Sequence, residues 1–96
     1  MRYFHRTALT PDLVLAEADT FLGARVGAAA SGARRRVYRG TLGEVTVTVR
    51  AEGGHYTLVT VETSNVGESE VDKLAKRFLT LVHAKLEPAH ALRGAY

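Results

Sequence analysis

The stretch EVTVTVRAEGGHYTLVTVET, residues 44–63, alternates apolar and polar side chains on both sides of a Gly-Gly pair. Because successive side chains of a β-strand point to opposite faces of a sheet, the alternation predicts two strands joined in a hairpin. A two-residue loop, 53–54, would place threonine and glutamate side chains on the face of the valines. A three-residue loop, 52–54, gathers the valines on one dry face and places Gly54 where a left-handed residue is favoured. We therefore predict the three-residue loop.

The predicted register divides the hairpin into a core face and a mixed face. The core face is built by the pairs Val49 with Thr57, Val47 with Val59, and Val45 with Val61. The mixed face carries Thr46, Thr48, Arg50, Glu52, Tyr56, Leu58, Thr60 and Glu62. On it, Arg50, Tyr56 and Leu58 are the candidates for contact with a partner. The alternative is an ordinary solvent-exposed face or a dimer contact, since antiparallel sheets commonly have one solvated face.

The segments before the hairpin supply one helix and two more strands. RYFHRT (2–7) alternates and predicts a first strand, and RRRVYRG (34–40) predicts a second. Between them, Thr10 and Pro11 form a helix start, because threonine caps free backbone N–H groups and proline suits the first helical position. One of the glycines that follow ends this helix.

The C-terminal helix is predicted from Ser69 onward. Ser69 and Asp72 form a capping box, and apolar residues recur at helical spacing as far as Leu86. Asp72 and Lys76 are expected to pair on the outer side of this helix. A proline lies just past its predicted end, and residues 87–96 form a tail without periodicity.

The order β-α-β-β-β-α predicts a single α+β domain over residues 1–96, with an antiparallel sheet and both helices on one face. The length of 96 residues, 46% of them hydrophobic and 24% charged, suits one small globular core. The chain contains no cysteine, which excludes disulfides and thiolate chemistry. No apolar run approaches the ~18 residues of a membrane span. The N-terminus has no signal-peptide pattern, so a cytoplasmic location away from membranes is expected.

The arginine run ARRRVYRG, in the predicted second strand, is the strongest indication of nucleic-acid binding. Clustered guanidinium groups neutralise phosphates, and a tyrosine on an open sheet can stack a base. The residues of this candidate site are Arg34, Arg35, Arg36, Tyr38 and Arg39. Alternation sends Arg35 and Arg36 to opposite faces, however. A solvated edge strand explains the same charges, since charged side chains deter aggregation of sheet edges.

Residues suited to metal binding or catalysis are present without the spacing that either chemistry needs. The histidines are His5, His55, His83 and His90, and no two of them have the spacing of a metal motif. The serines are Ser31, Ser64 and Ser69, which occupy loop or cap positions without a nucleophile motif. We therefore predict no metal, no cofactor and no enzymatic activity.

Three segments carry the overall layout: TALTPDLVLAEADTFLG, GTLGEVTVTVRAEGGHYTLVTVET and VDKLAKRFLTLVHAKLE. A helix start with Pro11 followed by Val14, a run of strands and a long last helix together resemble the helix-grip proteins of the START/Bet v 1-like (SRPBCC) superfamily. In those proteins the sheet and the last helix enclose a ligand cavity, so the resemblance implies an apolar ligand under the helix 71–86. The lining residues would be Phe21, Val47, Val59 and Phe78. The alternative is that these side chains simply fill the core.

This chain is shorter than the helix-grip proteins, which have more strands and a second short helix, so only a shallow grip is expected. The half-repeat of TATA-box-binding proteins has a similar order but is doubled in one chain. Both comparisons imply that a short sheet can complete itself by pairing with a second copy. We therefore predict a small non-enzymatic binding or assembly module with a homo-oligomeric or protein partner. The alternative is a nucleic-acid-binding module that uses the arginine strand 34–39.

Overall fold

The computed structural model describes residues 1–27, 30–53, 55–64 and 69–94 and, within the last helix, side chains as far as residue 85. Its elements are β1 (Arg2–Thr7), α1 (Pro11–Arg25), β2 (Arg35–Gly40), β3 (Gly43–Glu52), β4 (Tyr56–Thr63) and α2 (Glu70–Gly94). The predicted order β-α-β-β-β-α and the α+β class are therefore confirmed.

The four strands form one antiparallel sheet in the order β1-β4-β3-β2. The first strand of the chain thus joins the sheet beside the last strand, which closes a long loop that contains α1, β2 and β3. Both helices pack against one face of this sheet, which we call the inner face. The opposite face is called the outer face.

The core lies between the inner face and the two helices. The sheet contributes valines at alternate positions of β3 and β4: Val45, Val47, Val49, Val59 and Val61. The helix α1 contributes Val14, Leu15, Ala18, Phe21 and Leu22, and α2 contributes Val71, Ala75, Phe78 and Val82. Each of these side chains is at most 5% exposed, so one continuous apolar layer holds the sheet and both helices together.

The hairpin confirms the predicted faces and corrects the predicted register. The observed pairs are Val49 with Val59, Val47 with Val61, and Val45 with Thr63. Each partner on β4 lies two residues later than predicted, because Glu52 pairs with Tyr56 and the three-residue loop is 53–55 rather than 52–54. A shift of two residues leaves every side chain on its face, since the side-chain period of a strand is two. The expected left-handed conformation of Gly54 lies outside the described residues.

The helix α1 begins as predicted and is followed by a close backbone contact. Thr10 is its N-cap, and Thr10 Oγ1 accepts a hydrogen bond from the Leu13 N–H at 3.3 Å. Past the helix the chain crosses the end of β2, where a Cβ atom on Gly40 would lie 1.9 Å from the Val26 carbonyl oxygen. Gly27 has a φ of 139°, a conformation that favours glycine. These glycines let the end of α1 lie directly on the backbone of β2.

The helix α2 begins at the predicted cap but runs further than predicted. The Asp72 N–H donates to Ser69 Oγ at 3.4 Å. The prediction that the helix ends before residue 87 was wrong, because α2 continues to Gly94 and includes Pro88. A proline removes one backbone donor, and a helix that keeps its other hydrogen bonds can continue through it. No helix in the described parts of the chain is long and apolar enough to cross a lipid bilayer.

Candidate functional site

The outer face is a mixed surface of threonines, charged side chains and a few apolar ones. Its residues are Arg2, Phe4 and Arg6 on β1, Tyr56, Leu58, Thr60 and Glu62 on β4, Glu44, Thr46, Thr48, Arg50 and Glu52 on β3, and Arg35, Val37 and Arg39 on β2. These positions alternate with the core positions of the same strands. The predicted mixed face of the hairpin is therefore confirmed as the face that points away from the helices.

Apolar and positive side chains meet on the part of the outer face formed by β1, β4 and β3. In the sheet Leu58 lies between Arg6 and Arg50, as the direct partner of each. Phe4 is 59% exposed and Tyr56 is 56% exposed, while Leu58 is half-buried. Phe4, Leu58 and Arg50 line a shallow depression of about 350 Å³. The predicted candidates Arg50, Tyr56 and Leu58 thus share one face, and the structure adds Phe4, which the alternation of RYFHRT could have identified.

Most charges on the outer face are compensated within that face. The ion pairs are Arg6 with Glu52 (2.8 Å), Arg50 with Glu52 (3.3 Å), Arg2 with Glu62 (3.2 Å), and Arg39 with Glu44. The hydrogen bond from Arg6, together with that from Arg50, lowers the pKa of Glu52 below its usual value. Exposed pairs of this kind contribute only about 0–1 kcal/mol each to stability. Since five arginines of this face stand against three glutamates, the ion pairs compensate most of its positive charge and leave a formal charge of +2.

The candidate nucleic-acid site is divided between the two faces of the sheet. Tyr38 lies on the inner face, is 3% exposed and donates its hydroxyl hydrogen to Asp19 Oδ1 at 2.7 Å. Arg36 lies on the same face, and its Nε donates to Asp19 at 3.2 Å. Burial, together with the hydrogen bond to Asp19, raises the pKa of Tyr38. The expectation that Tyr38 offers an open ring to a base was therefore wrong, because β2 turns this ring into the core.

The remaining arginines of that candidate site stay at the surface. Arg35 and Arg39 lie on the outer face, and Arg39 pairs with Glu44. Arg34 is exposed, and its carbonyl accepts a hydrogen bond from the Val49 N–H at 3.0 Å. Within the described residues, only Arg34 and Arg35 of the run have side chains without an acidic partner. The structure therefore does not bring the arginine run together as one positive surface.

The candidate ligand residues lie together between the sheet and the helices. Phe21 is 5% exposed, and Val47, Val59 and Phe78 are 0% exposed. All four belong to the same packed core cluster. The surface clefts found at described residues are lined by other side chains. In this structure the four residues therefore act as core, which is the alternative that the sequence left open.

A buried carboxylate that the sequence placed on the surface lies between α2 and the sheet. Asp72 is 0% exposed, and its Oδ1 accepts hydrogen bonds from the Tyr3 hydroxyl at 2.8 Å and the Thr63 hydroxyl at 2.7 Å. Its Oδ2 accepts from the Ser69 hydroxyl at 2.6 Å. Burial alone would raise the pKa of Asp72, but these hydroxyl donors outweigh it and the pKa lies below its usual value. The expected outward pair of Asp72 with Lys76 was wrong, because α2 turns Asp72 toward β1 and β4.

Two histidines that are distant in sequence meet where α2 crosses β1. The ring centroids of His5 and His83 are 5.7 Å apart, and the rings meet edge to face at 78°. Burial, together with the neighbouring His83, lowers the pKa of His5. The described residues contain no group of three or more side chains arranged to hold a metal ion. His90 lies in the part of α2 whose side chains are not described.

No similar protein was found whose function could help to interpret the outer face. Comparisons of the chain with models of protein families, with curated proteins and with solved structures found no match. What the site does must therefore be argued from its own residues.

Proposed function

We propose that this protein is a non-enzymatic binding module that holds a protein partner on the outer face of its sheet. The observation that carries the proposal is the depression lined by Phe4, Leu58 and Arg50, with the exposed Tyr56 two residues from Leu58 on the same strand face, away from both helices. Two aromatic rings that are more than half exposed gain from leaving water. Aromatic and arginine side chains are also the ones enriched at protein–protein contacts.

The charges of the outer face support a protein partner more than a nucleic acid. Nucleic-acid binding relies on arginines and lysines that are available to neutralise phosphates. Here the arginines at positions 2, 6, 39 and 50 each have a glutamate within the same face. A surface with an apolar centre, around which most arginines are held by glutamates of the same face, resembles the core and rim of a protein contact.

The size of the outer face supports a reversible contact. Four strands spaced by ~4.8 Å and rising ~3.4 Å per residue over the length of β4 give a face of about 500 Å². Standard stable interfaces use about 800 Å² of each partner. We therefore expect a partner that binds and dissociates rather than a permanent subunit held by this face alone.

The layout, with a long last helix across an antiparallel sheet, supports the resemblance to the helix-grip plan at the level of architecture. We do not extend the resemblance to ligand binding. Phe21, Val47, Val59 and Phe78 already fill the layer between the sheet and the helices. An apolar ligand would have to displace side chains that are in contact with one another, which is unfavourable in a close-packed core.

The proposal is tested with a photo-crosslinking amino acid at position 58, in place of Leu58, and at position 77, in place of Arg77, as a control on the exposed side of α2. In the cells that make this protein we expect one defined protein adduct from position 58. This adduct should disappear when Tyr56→Ser is added, and position 77 should not give it. A nucleic-acid adduct from position 58 would favour the nucleic-acid alternative instead. Equal adducts from both positions, or none from position 58, would refute the proposal.

A further inference from the structure

The two edges of the sheet differ in what covers them. At the β2 edge, the Val37 N–H donates to the Ala30 carbonyl at 3.0 Å, and the Gly32 N–H donates to the Arg35 carbonyl at 2.8 Å. The segment 30–32 therefore covers part of that edge. At the other end of the strand order lies β1, and no described segment pairs with its far side. An uncovered edge presents a row of backbone groups to which another strand can bind.

The hydrogen-bond pattern identifies the backbone groups that face the β1 edge. The Thr63 N–H donates to the Met1 carbonyl at 2.9 Å, which marks this pair as one that exchanges hydrogen bonds. Such pairs alternate along an antiparallel ladder, so Tyr3 and His5 bond to β4 as well. The N–H and C=O groups of residues 2, 4 and 6 consequently point away from β4, toward the open edge.

We propose that two copies of this chain pair through their β1 edges, antiparallel to one another, about a two-fold axis at Phe4. In this arrangement Phe4 of one copy faces Phe4 of the other, and Arg2 of each copy faces Arg6 of the other. Positions 2, 4 and 6 are symmetric about position 4, so every open N–H of one edge meets an open C=O of the other. Two four-stranded sheets then become one continuous sheet.

The side chains of β1 fit a second copy of the same strand. Phe4 is 59% exposed in the single chain, and pairing places the two rings opposite each other on the same face, where they bury one another. β1 has six residues with neither a proline nor a lysine, the residues that commonly protect a free edge. A strand of this length and composition is an edge suited to pairing.

The charges of β1 are compatible with this pairing. Arg2 of one copy lies opposite Arg6 of the other, and like charges in direct opposition would weaken the contact if they stood alone. In each copy, however, Arg2 already pairs with Glu62 and Arg6 with Glu52. Each arginine of the contact therefore keeps an acidic partner within its own copy.

The edge contact does not depend on the proposed function of the outer face. Edge pairing uses the backbone groups of β1 and the Phe4 ring, whereas the proposed partner also contacts Leu58 and Tyr56, which lie on the face away from the edge. If both occur, the dimer joins two outer faces into one surface with the Phe4 rings at its centre. Tyr56→Ser separates the two proposals, because it should abolish the partner adduct and leave the dimer unchanged.

Sedimentation equilibrium of the full chain should show a monomer–dimer equilibrium that depends on concentration. Phe4→Pro should give a folded monomer, because it removes an N–H that points to the open edge and leaves the β1–β4 hydrogen bonds in place. Phe4→Ser keeps that N–H and should weaken the dimer at least ~10-fold through the lost ring. Tyr56→Ser removes an equally exposed ring away from the edge and should leave the dimer unchanged. A wild-type monomer at every concentration, or a folded Phe4→Pro dimer, would overturn the proposal.

A cysteine at position 4 tests the register and does not require the proline variant to fold. The chain has no cysteine of its own, so Phe4→Cys introduces a single thiol. Directly opposed residues of a hydrogen-bonded pair have Cα atoms ~5.5 Å apart, which a disulfide can span. Under mild oxidation we expect Phe4→Cys to form disulfide dimers at least ~10-fold faster than Tyr56→Cys, since only position 4 lies at the two-fold axis. Equal rates for the two variants would contradict the pairing.

Discussion

Replacing Asp72 by alanine should lower the free energy of unfolding by about 3 kcal/mol. The carboxylate accepts hydrogen bonds of 2.6–2.8 Å from three hydroxyl groups, those of Tyr3, Thr63 and Ser69. A hydrogen bond to a charged group contributes about 1.5 kcal/mol or more, so the three together contribute about 4.5 kcal/mol. Burying the charge offsets part of this sum, and the substitution also leaves hydroxyl groups without an acceptor. We therefore expect a net loss near 3 kcal/mol.

The effect is measured by urea unfolding followed by far-ultraviolet circular dichroism. For a domain of this size, a loss of ~3 kcal/mol corresponds to a melting temperature lower by roughly 12–24 °C. Asp12→Ala is the matched control, because Asp12 is also an aspartate in the first turn of a helix but is exposed. The Asp12→Ala substitution should lower the free energy of unfolding by less than about 1 kcal/mol. If Asp72→Ala cost no more than Asp12→Ala, the hydroxyl network would contribute nothing and the reasoning would be refuted.

The same pair of proteins should respond to pH in a defined direction. The folded-state pKa of Asp72 is lowered, so its contribution to stability is fully present above the unfolded-state pKa of about 4. That contribution is lost as the pH falls through the folded-state pKa. The difference in stability between the wild type and Asp72→Ala should therefore be constant at neutral pH and shrink below about pH 4. A difference that grew on acidification would contradict the assigned direction.

Three further predictions concern other contacts of the fold. Gly40→Ala should lower the free energy of unfolding by about 2 kcal/mol or more, because the new Cβ would overlap the backbone carbonyl of Val26. Gly53→Ala is the control, since its Cβ would meet nothing within 4 Å, and it should change the free energy of unfolding by less than about 0.5 kcal/mol. Both values are measured by urea unfolding. His83→Gln should raise the pKa of His5 in an NMR titration. Since the lowered pKa of His5 makes the fold lose stability as the pH falls below about 6.5, the same substitution should lessen that loss. Tyr38→Phe should cost about 1 kcal/mol, because it leaves Asp19 without its hydroxyl donor.

Each of these predictions has an outcome that would count against it. Equal urea midpoints for Gly40→Ala and Gly53→Ala would mean that α1 does not lie as closely on β2 as described. An unchanged His5 titration in His83→Gln would show that the two rings do not sense each other. A Tyr38→Phe variant as stable as the wild type would indicate that the Tyr38–Asp19 hydrogen bond contributes no more than the hydration of the Tyr38 hydroxyl in the unfolded chain.

Local patterns predicted the elements and their faces well. The cap at Thr10, the helical periodicity after Ser69 and the alternation of the hairpin each report on neighbouring residues, so one sequence suffices to interpret them. The hairpin register was missed by two residues because both registers keep the valines on one face. Glu52 belongs to β3, where it contacts Arg6 of β1, and a pattern confined to the hairpin cannot include that distant partner.

The errors in the candidate site have the same origin. Tyr38 was expected on an open surface, but its side depends on where β2 lies relative to α1, whose Asp19 receives its hydroxyl. Asp72 looked like a surface residue of an amphipathic helix until β1 and β4 supplied hydroxyl donors. The alternation of RYFHRT is enough to place Phe4 on the outer face, but only the strand order places it at an open edge. Such properties depend on contacts between distant segments, which periodicity does not encode.

The place of β1 in the sheet also sets the time at which the nascent chain can fold. β1 is synthesised before the other strands, yet its strand partner β4 and the helix α2 that packs on it are synthesised last. Contacts between such distant segments form slowly, because a long loop must close first. Until β4 has been synthesised, the segment RYFHRT therefore has no strand partner for its backbone groups. Exposed strands of this kind are what chaperones protect from aggregation.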